Sequence, residues 1–116
     1  MNIFVGIQPI LDRHNRTFAY ELLFRSGSSD EYDGIDDVSA TRTVLSNTFL
    51  SIGADKILGS HRGFVNFSRE SLLDGSITAL PRNRVVIEIL ETVAVDAALV
   101  SACRALRQAG YMIALD

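Results

Sequence analysis

The sequence has one cysteine, two prolines and no long apolar run. A lone thiol, Cys103, has no partner for an internal disulfide, which fits a reducing compartment. Its neighbours Leu99, Ala102, Ala105 and Leu106 mark it as a small core residue rather than a nucleophile. No stretch approaches the ~20 apolar residues that a membrane-spanning helix needs. The N-terminus lacks the basic and apolar regions of a secretory leader, so a cytoplasmic protein is expected. Neither sign of charge dominates: 11 Lys and Arg stand against 14 Asp and Glu, a net charge of −3, with the basic residues scattered. That distribution excludes duplex nucleic acid as a natural partner. There is no internal repeat and no low-complexity tract.

What is there is enough apolar surface, 47% of 116 residues, for one modest core. Residues 3–11 read as a strand, with Pro9 restricting its end to a sheet edge or a bulge. The polar turn Asp12–Arg16 then returns the chain antiparallel into a second strand, residues 17–25. Residues 26–37, rich in Ser, Gly and Asp, read as a loop. Val38, Leu45, Phe49 and Ile52 fall at helical spacing, and Gly53 supplies a stop. Further strands are expected over 63–67, 85–90 and 111–115, with a short helix over 69–73 and a full one over 95–109. The buried stripe of that last helix would be Val95, Leu99, Ala102, Cys103 and Leu106, with Gly110 at its C-terminal cap. Strands alternating with helices predict a parallel sheet with helical crossovers. A closed (β/α)₈ barrel takes ~200 residues or more, so the chain has the size of half of one.

Each of the last four expected strands carries one polar residue near its C-terminal end: Glu21, Asn66, Glu88 and Asp116. In a parallel barrel these ends gather at one mouth, where active sites lie. Three carboxylates and an amide form an all-oxygen set suited to Mg²⁺ or Mn²⁺ and unsuited to zinc. His14 and His61 sit in polar turns, outside this pattern. Taken singly, each residue also has a plain reading: a solvent-facing Glu on a half-exposed sheet, an Asn in a turn, an Asp capping a helix. Pattern alone leaves both readings open.

The motifs that carry these residues resemble a known family. Gln8-Pro9-Ile10 followed by Tyr20-Glu21-Leu22-Leu23-Phe24-Arg25 resembles the opening of EAL domains, the cyclic di-GMP phosphodiesterases. Phe64-Val65-Asn66-Phe67-Ser68, Ile87-Glu88-Ile89-Leu90-Glu91 and Ala114-Leu115-Asp116 resemble the next three motifs of that family, in order. The Glu-Leu-Leu-Phe-Arg-Ser-Gly wording, with Ala40-Thr41-Arg42 later, is most similar to the EAL part of EAL–HDOD signalling proteins. The resemblance implies the N-terminal half of a (β/α)₈ barrel with an antiparallel first strand. It implies Glu21, Asn66, Glu88 and Asp116 as ligands of Mg²⁺ or Mn²⁺, with Glu21 and Glu88 at the chemistry. Arg25 would contact a phosphate, its planar fork suiting that task, and Gln8 would line the substrate groove. Glu91 would steady a loop beside the metals; its plain reading is an acidic residue favouring the helix that follows.

Two departures bear on activity. Leu22 stands where the family has alanine, on the face away from Glu21, so a packing change is expected. The chain stops at Asp116, the first of a paired aspartate motif, so the second aspartate, a water-orienting lysine and a later glutamate would lie in a missing half. The expected function is metal-dependent hydrolysis of cyclic di-GMP to the linear dinucleotide in the complete domain, with this segment itself inactive. The competing expectation is a degenerate domain that binds the dinucleotide or a protein without catalysis. A third is another Mg²⁺-dependent barrel enzyme. An open half-barrel also predicts a homodimer, and an HDOD domain is expected in the parent protein.

Overall fold

The computed structural model describes residues 3–26 and 53–116. Five strands form one sheet in sequence order: β1 (Ile3–Leu11), β2 (Thr17–Ser26), β3 (Gly63–Asn66), β4 (Val85–Ile89) and β5 (Met112–Leu115). The β1–β2 pair is antiparallel and every later pair is parallel. The hairpin between β1 and β2 closes because Asp12 accepts backbone N–H bonds from His14 and Arg16 on Oδ1, 2.7 and 3.1 Å long, while Asn15 takes the left-handed conformation at φ 60°. Pro9 is tolerated since β1 is an edge strand, the first of the two expectations for it, and the pairing shifts register at Ile10/Leu11, where Phe18 of β2 is the extra residue. The helix expected over 38–52 and the loop over 27–37 lie outside the described residues.

Helices α1 (Ala54–Leu58), α2 (Arg69–Asp74) and α3 (Ala97–Gln108), with a 3₁₀ turn over Ser76–Ala79, connect the strands. One continuous core joins the sheet to α2, α3 and that turn. Leu22, Val65, Val85, Ile87 and Ile89 meet Leu58, Leu72, Ile77, Leu80, Leu99, Leu106 and Tyr111 there. Leu22 and Ile87 are almost wholly removed from water, each such side chain stabilising the fold by about 1.5–3 kcal/mol. The Tyr111 hydroxyl ends its buried path between the carbonyl oxygens of Ile77 and Leu80.

α3 begins later than its apolar spacing suggests. Asp96 is the N-cap, its Oδ1 accepting the Leu99 N–H at 2.9 Å. Val95 therefore precedes the helix and is 77% exposed, not part of the buried stripe. Leu99 and Leu106 do face the core, and Ala102 and Cys103 are half-buried beside it. At the other end Gly110 takes φ 101°, with Gly110 N–H bonding Arg107 O and Tyr111 N–H bonding Leu106 O. That pair of bonds is a Schellman closure, with Gly110 just beyond the C-cap Ala109. α1 and the 3₁₀ turn were not anticipated; both are too short to show a periodic pattern.

Among the described residues no helix is long and apolar enough to cross a membrane.

Candidate metal and phosphodiester site

Side chains alternate faces along a strand, so the pairing register fixes which residues share a face. Gln8 lies opposite Glu21, Glu21 is in register with Phe64, Asn66 with Glu88, and Glu88 with Ala114. Counting by twos along β3 and past β5, Gln8, Glu21, Asn66, Glu88 and Asp116 all belong to the face opposite the helices. Asp116 is held at the end of β5 by its N–H, which donates to Ile89 O at 2.9 Å. The spacing seen in the sequence thus becomes a row of polar groups crossing four strand ends.

Glu21 and Glu88 are half-buried on the same face. Burial, then the charge of the neighbouring Glu21 carboxyl and its capacity to share a proton, then the Asp116 charge push the Glu88 carboxyl up to about 7. Two neighbouring carboxyls in a partly desolvated place cannot both ionise cheaply, so the pair retains a proton. The Asn66 amide oxygen, on the strand between them, is buried without a hydrogen-bond partner. An orphaned buried acceptor beside crowded carboxylates is a combination that a hard cation would relieve on both counts. The donor chemistry fits such an ion, while the spacing is open: among the described residues no three His, Cys, Asp or Glu side chains close into a ready cage. Asp116 acts on Glu88 through its charge and is itself exposed.

The other candidate residues are placed unequally. Gln8 is exposed on β1 directly across from Glu21. Arg25 pairs with Phe4 through the backbone of β2, and its side chain lies outside what is described. Glu91 is exposed in the loop after β4, well before α3 starts, with no described hydrogen bond or ion pair to the acidic pair. His14 is exposed in the hairpin turn; His61 is half-buried, edge-on to Tyr20 at 5.7 Å. Burial raises the Cys103 thiol pKa, consistent with an inert packing residue.

Sequence reasoning missed a feature at the opposite end of the strands. Phe18, Phe64, Val86 and Met112 line a cavity of about 320 Å³ with Arg62 and His61 at its side. Phe18 reaches Phe64, centroids 6.5 Å apart, because the bulge beside it turns the ring toward the inner face. A bulge at Thr17–Ala19 leaves no composition signal that would have announced it.

A parallel sheet with an antiparallel leading strand, helices on one face and acidic side chains at the strand ends on the other is an arrangement that barrel-type α/β proteins share. No family model matches the chain. It is 40% identical over its whole length to YuxH, an uncharacterized protein of Bacillus subtilis (strain 168), covering 28% of that protein. It is 39% identical over 114 residues, 97% of its length, to the cyclic di-GMP phosphodiesterase CdgJ of Vibrio cholerae (El Tor Inaba N16961), covering 26% of it. The chain thus spans about a quarter of the length of the curated relatives it matches. In structure it is similar to the EAL enzyme Bd1971, solved with cAMP and cyclic di-GMP bound, with TM-score 0.66 over 98% of this chain and 39% of that one, at 17% identity. The likeness to Bd1971 shows the fold: a five-stranded sheet with an antiparallel first pair, similar to part of that EAL enzyme's structure.

Proposed function

We propose that this segment supplies half of the active site of a metal-dependent cyclic di-GMP phosphodiesterase. The observation that carries the reading is the buried, unpartnered Asn66 oxygen on the same face as the Glu21 and Glu88 carboxyls. Glu21, Asn66, Glu88 and Asp116 would hold Mg²⁺ or Mn²⁺, oxygen donors for a hard cation. The ion, when bound, supplies charge that stabilises the entering and leaving oxygens of an in-line displacement. This chain's own residues bind and orient: Arg25 would grip a phosphate through its planar fork, and Gln8, facing Glu21, would line the groove for the dinucleotide. In the reaction a water oxygen forms a bond to phosphorus, the bond to the ribose 3′ oxygen breaks, and the linear dinucleotide leaves.

The segment alone is proposed to be inactive, since the residues that would orient the water are not among those on its strands. Its setting is proposed as the cytosol, where the lone Cys103 stays reduced, in a parent protein with an HDOD domain. The exposed edge β5, where Leu115 is 82% exposed, supports the proposal of a homodimer. Calorimetry with Mn²⁺ tests the site directly. The wild-type chain should bind Mn²⁺, and Glu21→Gln with Glu88→Gln should abolish binding; equal binding by wild type and double variant would refute it. Hydrolysis of cyclic di-GMP should be absent from this chain and present in the full-length parent. A parent that binds the dinucleotide but never hydrolyses it would favour the non-catalytic reading.

A further inference from the structure

We infer that Arg69 is a positioning residue that ties the loop following Glu88 to the end of the strand bearing Asn66. The inference rests on the cation reading above only for what that geometry serves. Arg69 follows Asn66 by one short connection, at the first position of α2. Its guanidinium takes hold of the β4–α3 loop in three places. Nη1 donates to Ala94 O and to Asp96 Oδ1, each at 3.1 Å, and Nη2 donates to Asp96 Oδ2 at 2.6 Å. The carboxylate is thus gripped by both arms of the fork, a geometry that lysine does not reproduce.

Asp96 is simultaneously the N-cap of α3, so the same carboxylate joins three things: the start of α2, the start of α3 and the loop between β4 and α3. Its pKa is lowered chiefly by the Arg69 hydrogen bond. The strands themselves are tied at this end by Phe67 N–H to Glu88 O at 3.2 Å. Beyond that bond, Arg69 is the described side chain that spans the two loops. The contrast with Glu91 is informative. The family resemblance gives Glu91 the task of steadying a loop near the site, yet Glu91 is exposed here, with no hydrogen bond or ion pair of its side chain among the described residues. Arg69 performs the holding on that loop instead, and through the β3 end it keeps Asn66 level with Glu88.

The test separates positioning from mere stability. Arg69→Gln, Arg69→Lys and Asp96→Asn are made in the full chain; asparagine caps a helix about as well as aspartate, so the last removes the ion pair and keeps the cap. A half-exposed pair contributes little to global stability, so unfolding midpoints should move little. Amide hydrogen exchange at residues 91–95 should accelerate in Arg69→Gln, the Asn66 side-chain amide resonance should shift, and Mn²⁺ affinity should drop roughly tenfold, the scale of losing a group that orients a ligand. Arg69→Lys should restore only part of this, and the Arg69→Gln/Asp96→Asn double variant should be no worse than either single one. Unchanged exchange at 91–95 overturns the tie. Faster exchange with an unmoved Asn66 resonance and unaltered Mn²⁺ affinity overturns the positioning role. If the wild type binds no Mn²⁺, the cation reading fails by itself, and the exchange and Asn66 resonance still decide on Arg69.

Discussion

The Glu21 carboxyl helps hold the Glu88 carboxyl in its protonated form although β3 lies between their strands. On β3, Phe64 is in register with Glu21 and Asn66 with Glu88, so the two acids stand diagonally across that strand on one face. This placement has a consequence for stability without divalent cation. Glu88 holds its proton to about pH 7 in the folded chain, against 4.5 for an unperturbed group. Between those values the folded state binds more protons than the unfolded one, so stability falls as pH rises through the interval and levels off above it. With a chelator present, the urea midpoint should be higher near pH 5 than near pH 8. Glu88→Gln should flatten that slope. A midpoint that rises across the interval would contradict the shared proton.

Leu22 and Gly63 form a matched pair. Leu22 is buried where the resembled motif has a smaller alanine, and a Cβ on Gly63 would come within 2.9 Å of Leu22 Cδ1 and 3.4 Å of Leu58 Cδ1. Gly63 lies in β3 with an unremarkable φ, so the requirement is for space rather than backbone freedom. Gly63→Ala should cost about 1–3 kcal/mol by overpacking. In a Leu22→Ala background the same change should cost less, since the obstructing methyl is gone. A double-mutant cycle by urea denaturation measures this coupling, and strict additivity would show that the two residues are independent.

Much of this was legible in the amino-acid order, and for a definite reason. Strands with helices on one face and a site on the other keep both faces largely apolar, so a single Glu or Asn stands out against Val, Ile and Phe. Their places near the C-terminal ends of expected parallel strands then gather Glu21, Asn66, Glu88 and Asp116 at one mouth, and the pairing register puts them on one face. What escaped was set by contacts distant in the chain. Val95 looks like a helix residue by spacing, yet Arg69 and the Leu99 N–H draw Asp96 into the cap and leave Val95 outside. Glu91 carries a motif position, but nothing local says whether its side chain or that of Arg69 holds the loop. The Phe18–Phe64 cavity depends on a bulge whose place is fixed by the pairing with Leu11, not by composition.

Gly110 illustrates a backbone requirement. Its φ of 101° lies where a Cβ is strained, and it supplies one of the two N–H bonds that close α3. Gly110→Ala should destabilise the chain by about 1 kcal/mol or more. The loss should appear as a lower urea midpoint with an unchanged slope. Ala109→Gly, at a right-handed helical position, should bring no gain.

The Tyr111 hydroxyl lies between two carbonyl oxygens of the segment that leads from α2 to β4. Tyr111 precedes β5 directly, so the contact anchors the strand that ends in Asp116 to the core. Burial raises the phenol pKa, partly offset by Arg82, which keeps the hydroxyl a hydrogen-bond donor throughout the neutral range. Tyr111→Phe retains the ring and its packing while leaving the Ile77 and Leu80 carbonyls without that donor. The expected cost is about 1–2 kcal/mol, the scale of a buried hydrogen bond removed from one side. Amide exchange should accelerate at Ile113 and Ala114 more than in β2, because the anchor is local to β5. Equal acceleration across all five strands would mean that Tyr111 contributes to the core as a whole and has no special hold on the strand carrying Asp116.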